Sequence, residues 1–264
     1  MMPSHSAAPT CAEQATGSGS GLDRANWAPD IAFVGQTLGP WYLFEPHDSS
    51  LAALRDAFAG LDVTGAAQAW PFVACHVAQR SLRLMHQGLL PGSPGSPGGP
   101  GALGGLGDTG GLGGLGDTGG LASENEHALL WEFRRLFRGP DPMPAPPWGS
   151  VYTDKDCVVF GSSCLELRAW LRAEGIVRQG DGHGPEDHLG ELLLLMAWLA
   201  ESRPKLLAGF LRLHLLTWSS HMLGQLAAGA AHPFYRGLAL LTQQSLEGIG
   251  RHLGLEVSYP TYYR

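Results

Sequence analysis

Two short clusters hold the residue types that could do chemistry. The first is Gly184-Pro185-Glu186-Asp187-His188. Pro185 is expected in the first turn of an apolar helix running to about Glu201, which puts Glu186 and Asp187 where a helix dipole favours negative charge. Charge compensation is one reading. A carboxylate pair that stays ionised and receives guanidinium groups in two-pronged hydrogen bonds is another. A metal site is a third, since His188 and Glu191 share a helical face and His183 is near, but HExxH is absent and no second histidine stands at helical spacing from His188. The second cluster is Pro146-Pro147-Trp148-Gly149-Ser150, which follows an apolar stripe of Phe133, Leu136 and Phe137. An indole held by rigid prolines makes a wall for a peptide groove, or else a plug for the core.

Other chemistry is poorly represented. There is no GxSxG, no GxxxxGK[ST], and no GxGxxG between a strand and a helix. The four cysteines, Cys11, Cys75, Cys157 and Cys164, include no CxxC pair, which leaves thiols in a reducing compartment as the plain reading. A net charge of −7 argues against a nucleic-acid binder and suits a basic peptide. Lys155 and Lys205 are the only lysines. The longest apolar run, Leu192 to Ala200, is short of the ~20 residues a membrane span needs. With no positive n-region near the start, the expectation is a soluble protein that stays in the cytoplasm.

Helical periodicity supplies the elements that position both clusters. It begins near Trp27, with Ile31, Val34 and Leu38 on one face, and is interrupted by Pro40 and Pro46. Asp48 or Ser49 can cap a helix carrying Leu51, Leu54 and Phe58. A longer stretch is expected from Ala66 to Gln87, with Val73, Val77 and Leu84 inward. Residues 1–24 read as a disordered tail. Residues 91–120 read as a flexible insert, PGSPGSPGGPG followed by two tandem copies of LGGLGDTGG. Helix resumes at Glu124 and stops at Gly139-Pro140. Ser163 to Glu166 has a capping-box pattern, and Gly175 is a natural stop. Pro204 and Pro233 start further helices, the first through about Trp218, the last to about Gly254. Nothing reads as paired strands. The fold class is all-α, a single-domain bundle of about nine helices over 25–264.

Taken in order, Leu136-Phe137-Arg138-Gly139-Pro140, Pro146-Pro147-Trp148-Gly149-Ser150-Val151-Tyr152, Leu167-Arg168-Ala169-Trp170-Leu171-Arg172, Pro185-Glu186-Asp187-His188-Leu189-Gly190 and His232-Pro233-Phe234-Tyr235-Arg236 resemble the TorD/DmsD/NarJ family of redox-enzyme maturation chaperones, with the closest likeness to its DmsD branch. The resemblance covers Glu124 to Arg264 strongly and Trp27 to Gly88 weakly. It departs from the family pattern in the long insert, in Gly184 where a glutamate is usual, and in Phe133 where a tryptophan is common. It implies a helical fold, no catalysis, no cofactor and no metal. The implied partner is the twin-arginine signal peptide of a molybdenum oxidoreductase catalytic subunit of the dimethyl sulfoxide reductase type, held back from export until cofactor loading is complete. Contact with the twin-arginine translocase is a further implied partnership. The implied peptide-binding residues are Phe133, Leu136, Phe137, Pro146, Pro147, Trp148, Gly149, Ser150, Glu186, Asp187 and His188. Two alternatives stand beside this reading: a NarJ-like assembly factor for a cytoplasmic oxidoreductase subunit, and a metal-dependent helical hydrolase using His183, His188 and Glu191.

Overall fold

A computed structural model describes residues 27–90, 118–177 and 184–264, with side chains of the third long helix from Glu124 onward. The expected tail, most of the glycine- and proline-rich insert, and His183 lie outside the described residues. Among those described the fold is all-α, without a strand. The helices are α1 (Trp27–Leu38), α2 (Pro40–Leu43), α3 (Ala52–Ala59), α4 (Val63–Ala69), α5 (Cys75–Leu89), α6 (Thr118–Phe137), α7 (Ser150–Thr153), α8 (Ser162–Ala173), α9 (Leu189–Ser202), α10 (Pro204–Phe210), α11 (Ser219–Gly229) and α12 (Pro233–His252). The number exceeds the expected nine mainly because prolines and turns isolate very short helices such as α2 and α7.

The sequence-based boundaries hold where a proline or glycine dictates them. Pro204 and Pro233 each open a helix, and Gly175 and Gly254 each close one. Both closing glycines have positive φ, and the residue after each donates back to a carbonyl of the last turn: Ile176 to Leu171 and Leu255 to Gly250. Asp48 accepts from the Ser50 amide, as a cap should, though over a 3-10 turn at Ser49–Leu51 that leads into α3.

Five expectations need correction. The Ala66–Gln87 stretch is two helices, because Pro71 and the left-handed Phe72 divide α4 from α5. The buried face of α5 is centred on Ala78, Leu82 and Met85, one position beyond the expected Val77 and Leu84. α6 starts at Thr118, not at Glu124, so its first turn comes from the end of the glycine-rich repeat. The capping box at Ser163 does not form: α8 starts at Ser162, whose amide donates to the Asp154 carboxylate instead. Among the cysteines, Cys157 and Cys164 are free thiols, but Cys75 is disulfide-bonded, which departs from the expected set of thiols.

α12 is the central element. It packs on α5 and α11, and Trp41 of α2 meets its Phe234 with ring centroids 4.6 Å apart. Two buried hydrogen bonds also end on it, Tyr42 to Thr242 at 2.8 Å and the Trp70 indole to Ser245 at 3.0 Å. Small residues let the backbones approach. A Cβ on Gly237 would lie 2.6 Å from the Ser81 carbonyl of α5. Where α1 crosses α9, a Cβ on Gly35 would strike the Leu193 carbonyl, and one on Gly39 would lie 3.0 Å from the Gly190 carbonyl.

These contacts predict opposite effects for two glycine-to-alanine changes. Gly237→Ala lowers stability by about 2 kcal/mol, because the Ser81 backbone must shift. Gly224→Ala, at an exposed site in α11 with nothing within 4 Å, raises it by about 1 kcal/mol. Denaturant unfolding of both variants checks the pair.

A pH effect follows from two imidazoles. Burial pushes His214 and His232 down to about 4, in His232 against the pull of Glu132. Unfolded histidines titrate near 6.5, so between these values the unfolded chain binds more protons. Stability fully present above pH 6.5 is therefore lost progressively as pH falls toward 4. His232 also caps α12, its Nδ1 accepting from Phe234. His232→Asn keeps a cap acceptor but not the titration, so its Tm falls less steeply across this window in thermal melts at stepped pH.

Candidate functional site

The two sequence clusters meet. The loop before α7 and the turn before α9 are joined by backbone bonds, Gly149 N–H to the Asp187 carbonyl at 3.2 Å and Leu189 N–H to the Pro147 carbonyl at 2.7 Å. They make one isolated antiparallel bridge between Trp148 and His188, whose rings meet edge-on at 5.6 Å. The Asp187 side chain closes the junction: its Oδ2 accepts from the Ser150 amide at 2.6 Å. The sequence separates these groups by 37 residues; the fold makes them one unit.

This arrangement corrects the expected helix start. α9 begins at Leu189 rather than at Pro185, with His188 as its cap; the imidazole Nδ1 accepts from the Gly190 amide at 3.1 Å. Glu186 and Asp187 therefore sit in the turn ahead of the helix. The reason is local competition. Asp187 is drawn to α7 and His188 turns back on its own helix, so neither Pro185 nor Glu186 can enter the first turn.

The Pro146-Pro147-Trp148-Gly149-Ser150 loop has a firm bed. Pro146 and Pro147 are buried and Trp148 is half-buried. The Pro146 carbonyl accepts from the Tyr152 hydroxyl at 2.9 Å, and Tyr152 stacks on Trp218. A Cβ on Gly149 would lie 2.6 Å from the Trp218 ring, so glycine is required there for room. The C-terminal segment braces the other side. Tyr263 N–H donates to the Tyr152 carbonyl and Arg264 to the Met143 carbonyl, while Tyr262 stacks on His221 at 4.2 Å.

The acidic pair is not a pair of open acceptors. Both Glu186 oxygens are taken by Arg168 of α8 in a two-pronged bridge, each contact 2.7 Å. Burial works against ionisation of Glu186, but the Arg168 hydrogen bonds and charge outweigh it and hold the carboxyl below the usual range. Asp187 is 3% exposed, and its Oδ1, like the buried Ser150 Oγ, has no hydrogen-bond partner. Cys164 lies against both carboxylates. Its thiol is pushed up to about 12 by burial and by the Asp187 charge, so it is an inert neutral group at physiological pH.

The apolar stripe of α6 faces inward, contrary to the peptide wall expected of it. Phe133 and Leu136 have no exposed surface and Phe137 almost none. Phe137 packs edge-on against Phe133, Tyr42 and Tyr235 at centroid distances of 5.3–5.8 Å. The aromatic that α6 shows to solvent is Trp131, 43% exposed, with the Arg135 guanidinium 5.9 Å from its ring. Its position out of phase with the stripe was the available signal. Between them, buried Glu132 accepts from Arg135 and from the Ala231 and His232 amides, tying α6 to the turn before α12. α6 and the acidic turn also communicate: Arg138 donates to the Leu43 carbonyl, and the Leu43 side chain packs over Gly190.

Beside the turn lies a groove of about 540 Å³ between the end of α8 and α9. Glu186 and Glu191 stand on its wall, and Leu195, Val177 and Trp198 supply apolar surface. Trp198 is 40% exposed, with the Arg203 guanidinium 5.7 Å from its ring. The sequence concealed this groove because Trp198 falls inside a continuous apolar run. For the metal reading, His188 Nδ1 is engaged in the cap, and no three metal-ligating side chains cluster among the described residues. Among those residues, no helix is long and apolar enough to cross a membrane.

Comparison with known proteins bears on what this unit is. The family model for the nitrate reductase delta subunit matches residues 112–223. The probable Tat proofreading chaperone DmsD of Haemophilus influenzae is 47% identical over 133 residues, half of this chain and 66% of that protein. The Tat proofreading chaperone DmsD of Salmonella typhimurium is 41% identical over 143 residues, 54% of this chain and 70% of that protein. The chaperone protein TorD of Vibrio cholerae is 33% identical over 102 residues, 34% of this chain and 46% of that protein. With an all-helical fold and likeness at this level across most of two named chaperones, the chain belongs to the TorD/DmsD/NarJ family of chaperones.

Proposed function

We propose that this protein binds the twin-arginine signal peptide of a molybdenum oxidoreductase catalytic subunit of the dimethyl sulfoxide reductase type. On this reading it works in the cytoplasm, delays export until the cofactor is loaded, and hands its client to the translocase. The observation that carries the reading is likeness to two DmsD chaperones together with one compact unit built from the Pro146–Ser150 loop and the Glu186–His188 turn. The chemistry is complementary. A twin-arginine leader has two guanidinium groups ahead of an apolar stretch. The turn carries the Glu186 carboxylate, a fork-shaped acceptor that Arg168 already fills in the free protein, and the neighbouring groove offers Leu195, Val177 and Trp198. The inward-facing Phe133, Leu136 and Phe137 then serve by fixing α6, and with it the Leu43–Gly190 contact, rather than by touching the peptide.

A second reading is a NarJ-like assembly factor that binds a cytoplasmic oxidoreductase subunit, favoured by the nitrate reductase delta match. Titration calorimetry separates the two. The expected result is binding of a twin-arginine leader, with affinity about tenfold weaker when both arginines are lysines, because an ammonium cannot make the two-pronged contact. Absence of binding to either peptide transfers the weight to subunit assembly.

The turn also gives a single-residue test. Glu186→Gln removes the anion but keeps the shape, and leader affinity is expected to fall roughly tenfold while the far-ultraviolet spectrum stays helical. Unchanged affinity places the arginines elsewhere.

A further inference from the structure

The most closely matched polar contact in the site is made by the protein to itself. Arg168 presents its Nε and Nη2 to the two oxygens of Glu186, each at 2.7 Å. The Phe160 ring lies 5.7 Å from the same guanidinium, on its other side chain contact. Carboxylate fork and aromatic ring together form a receptacle for a planar cation. Phe160 sits with φ of 64°, a left-handed backbone that a bulky residue seldom adopts, and its ring is 43% exposed. Such an outlier is held by its surroundings, and here it keeps an aromatic surface over a charged group at the edge of the site. Two forks of α6 bracket it: Arg134 with Glu45 is more open, the arginine side chain 56% exposed against 29% for Arg168, whereas Arg135 with Glu132 is sealed on the carboxylate side, Glu132 being 1% exposed against 15% for Glu186.

Arg168 is held by this fork and ring at the surface rather than by a core. Its side chain is partly exposed, and Leu165, one turn earlier on the same face of α8, is 53% exposed. The side chain can swing out without unpacking a core. Glu186 cannot follow it: the flanking Asp187 is fastened to Ser150 and lines up the turn.

We infer that Arg168 is an intramolecular stand-in for a ligand arginine, occupying the Glu186–Phe160 receptacle until a guanidinium from the client displaces it. This rests on the reading of the protein as a twin-arginine leader chaperone and adds a control to it. The displacement is an exchange of one charge-assisted fork for another. Net affinity is lowered by one common factor for every cation that must displace the occupant, so Arg168 sets the threshold for binding and leaves the arginine-to-lysine ratio to the receptacle itself. Displaced Arg168 is left in solvent beside Leu165, so no charge is buried unpaired.

The test is Arg168→Gln, titrated beside the wild-type protein with two probes, a twin-arginine leader peptide and diarginine amide. With the internal competitor removed, both probes are expected to bind about five- to tenfold more tightly. The ratio of arginine-leader to lysine-leader affinity is expected to stay the same, since both must displace the same occupant. A purely structural role for the bridge predicts the reverse, since a loosened turn binds less. Unchanged or weakened binding of both probes to a folded Arg168→Gln protein overturns the inference. If wild-type protein ignores the leader while the variant still gains diarginine amide affinity, the chaperone reading fails and the stand-in survives. Phe160→Ala in the Arg168→Gln background gives a second handle: it is expected to cancel most of the gain, and retention of the full gain would remove the ring from the receptacle and overturn the cage as drawn.

Discussion

The site depends on one carboxylate. Asp187 is nearly sealed from water, and its Oδ2 accepts the Ser150 amide at 2.6 Å. That bond joins the proline-rich loop to the turn before α9, and the adjoining backbone bonds of Gly149 and Leu189 make the junction rigid. Remove it and only those backbone bonds keep Trp148, Glu186 and His188 in one unit. A buried carboxylate is costly unless its hydrogen bonds are strong. Here an amide at the start of α7 supplies one, while Oδ1 goes without a donor.

Above this junction sits a layered frame. α12 gathers α2, α5 and α11 around it by aromatic and hydroxyl contacts. Glu132 ties α6 to the turn leading into α12 through two backbone amides. The C-terminal segment clasps the proline loop from outside through Tyr263 and Arg264. The loop thus rests on the stacked Trp218 and Tyr152 and is held on its far side, so its shape is fixed by neighbours as much as by its prolines.

Helix content and its punctuation were legible in the sequence because they are local. Pro204, Pro233, Gly175 and Gly254 act through backbone constraints within a few residues. The clusters at 146–150 and 186–188 were also legible as clusters, through residue type. What they faced was not. Phe133, Leu136 and Phe137 announce an apolar face, but periodicity is silent on whether that face meets solvent-borne ligand or core, and Tyr42 and Tyr235 decide it. Pro185 suits a first turn, but the pull of Ser150 on Asp187 and the His188 cap override it. The Arg168 fork could not be read at all, since nothing in either helix pattern says that residues 18 apart will share a hydrogen-bond geometry.

The crossing of α1 and α9 reaches further than its position suggests. Gly35 and Gly39 lie against carbonyls of Leu193 and Gly190, at the very start of the helix that His188 caps. The origin of α9, and so the height of the acidic turn above the proline loop, is set by how closely two backbones can touch. The gauge of the junction is therefore cut by hydrogen atoms on another helix. Bulk added at either position would move the acidic turn without touching it.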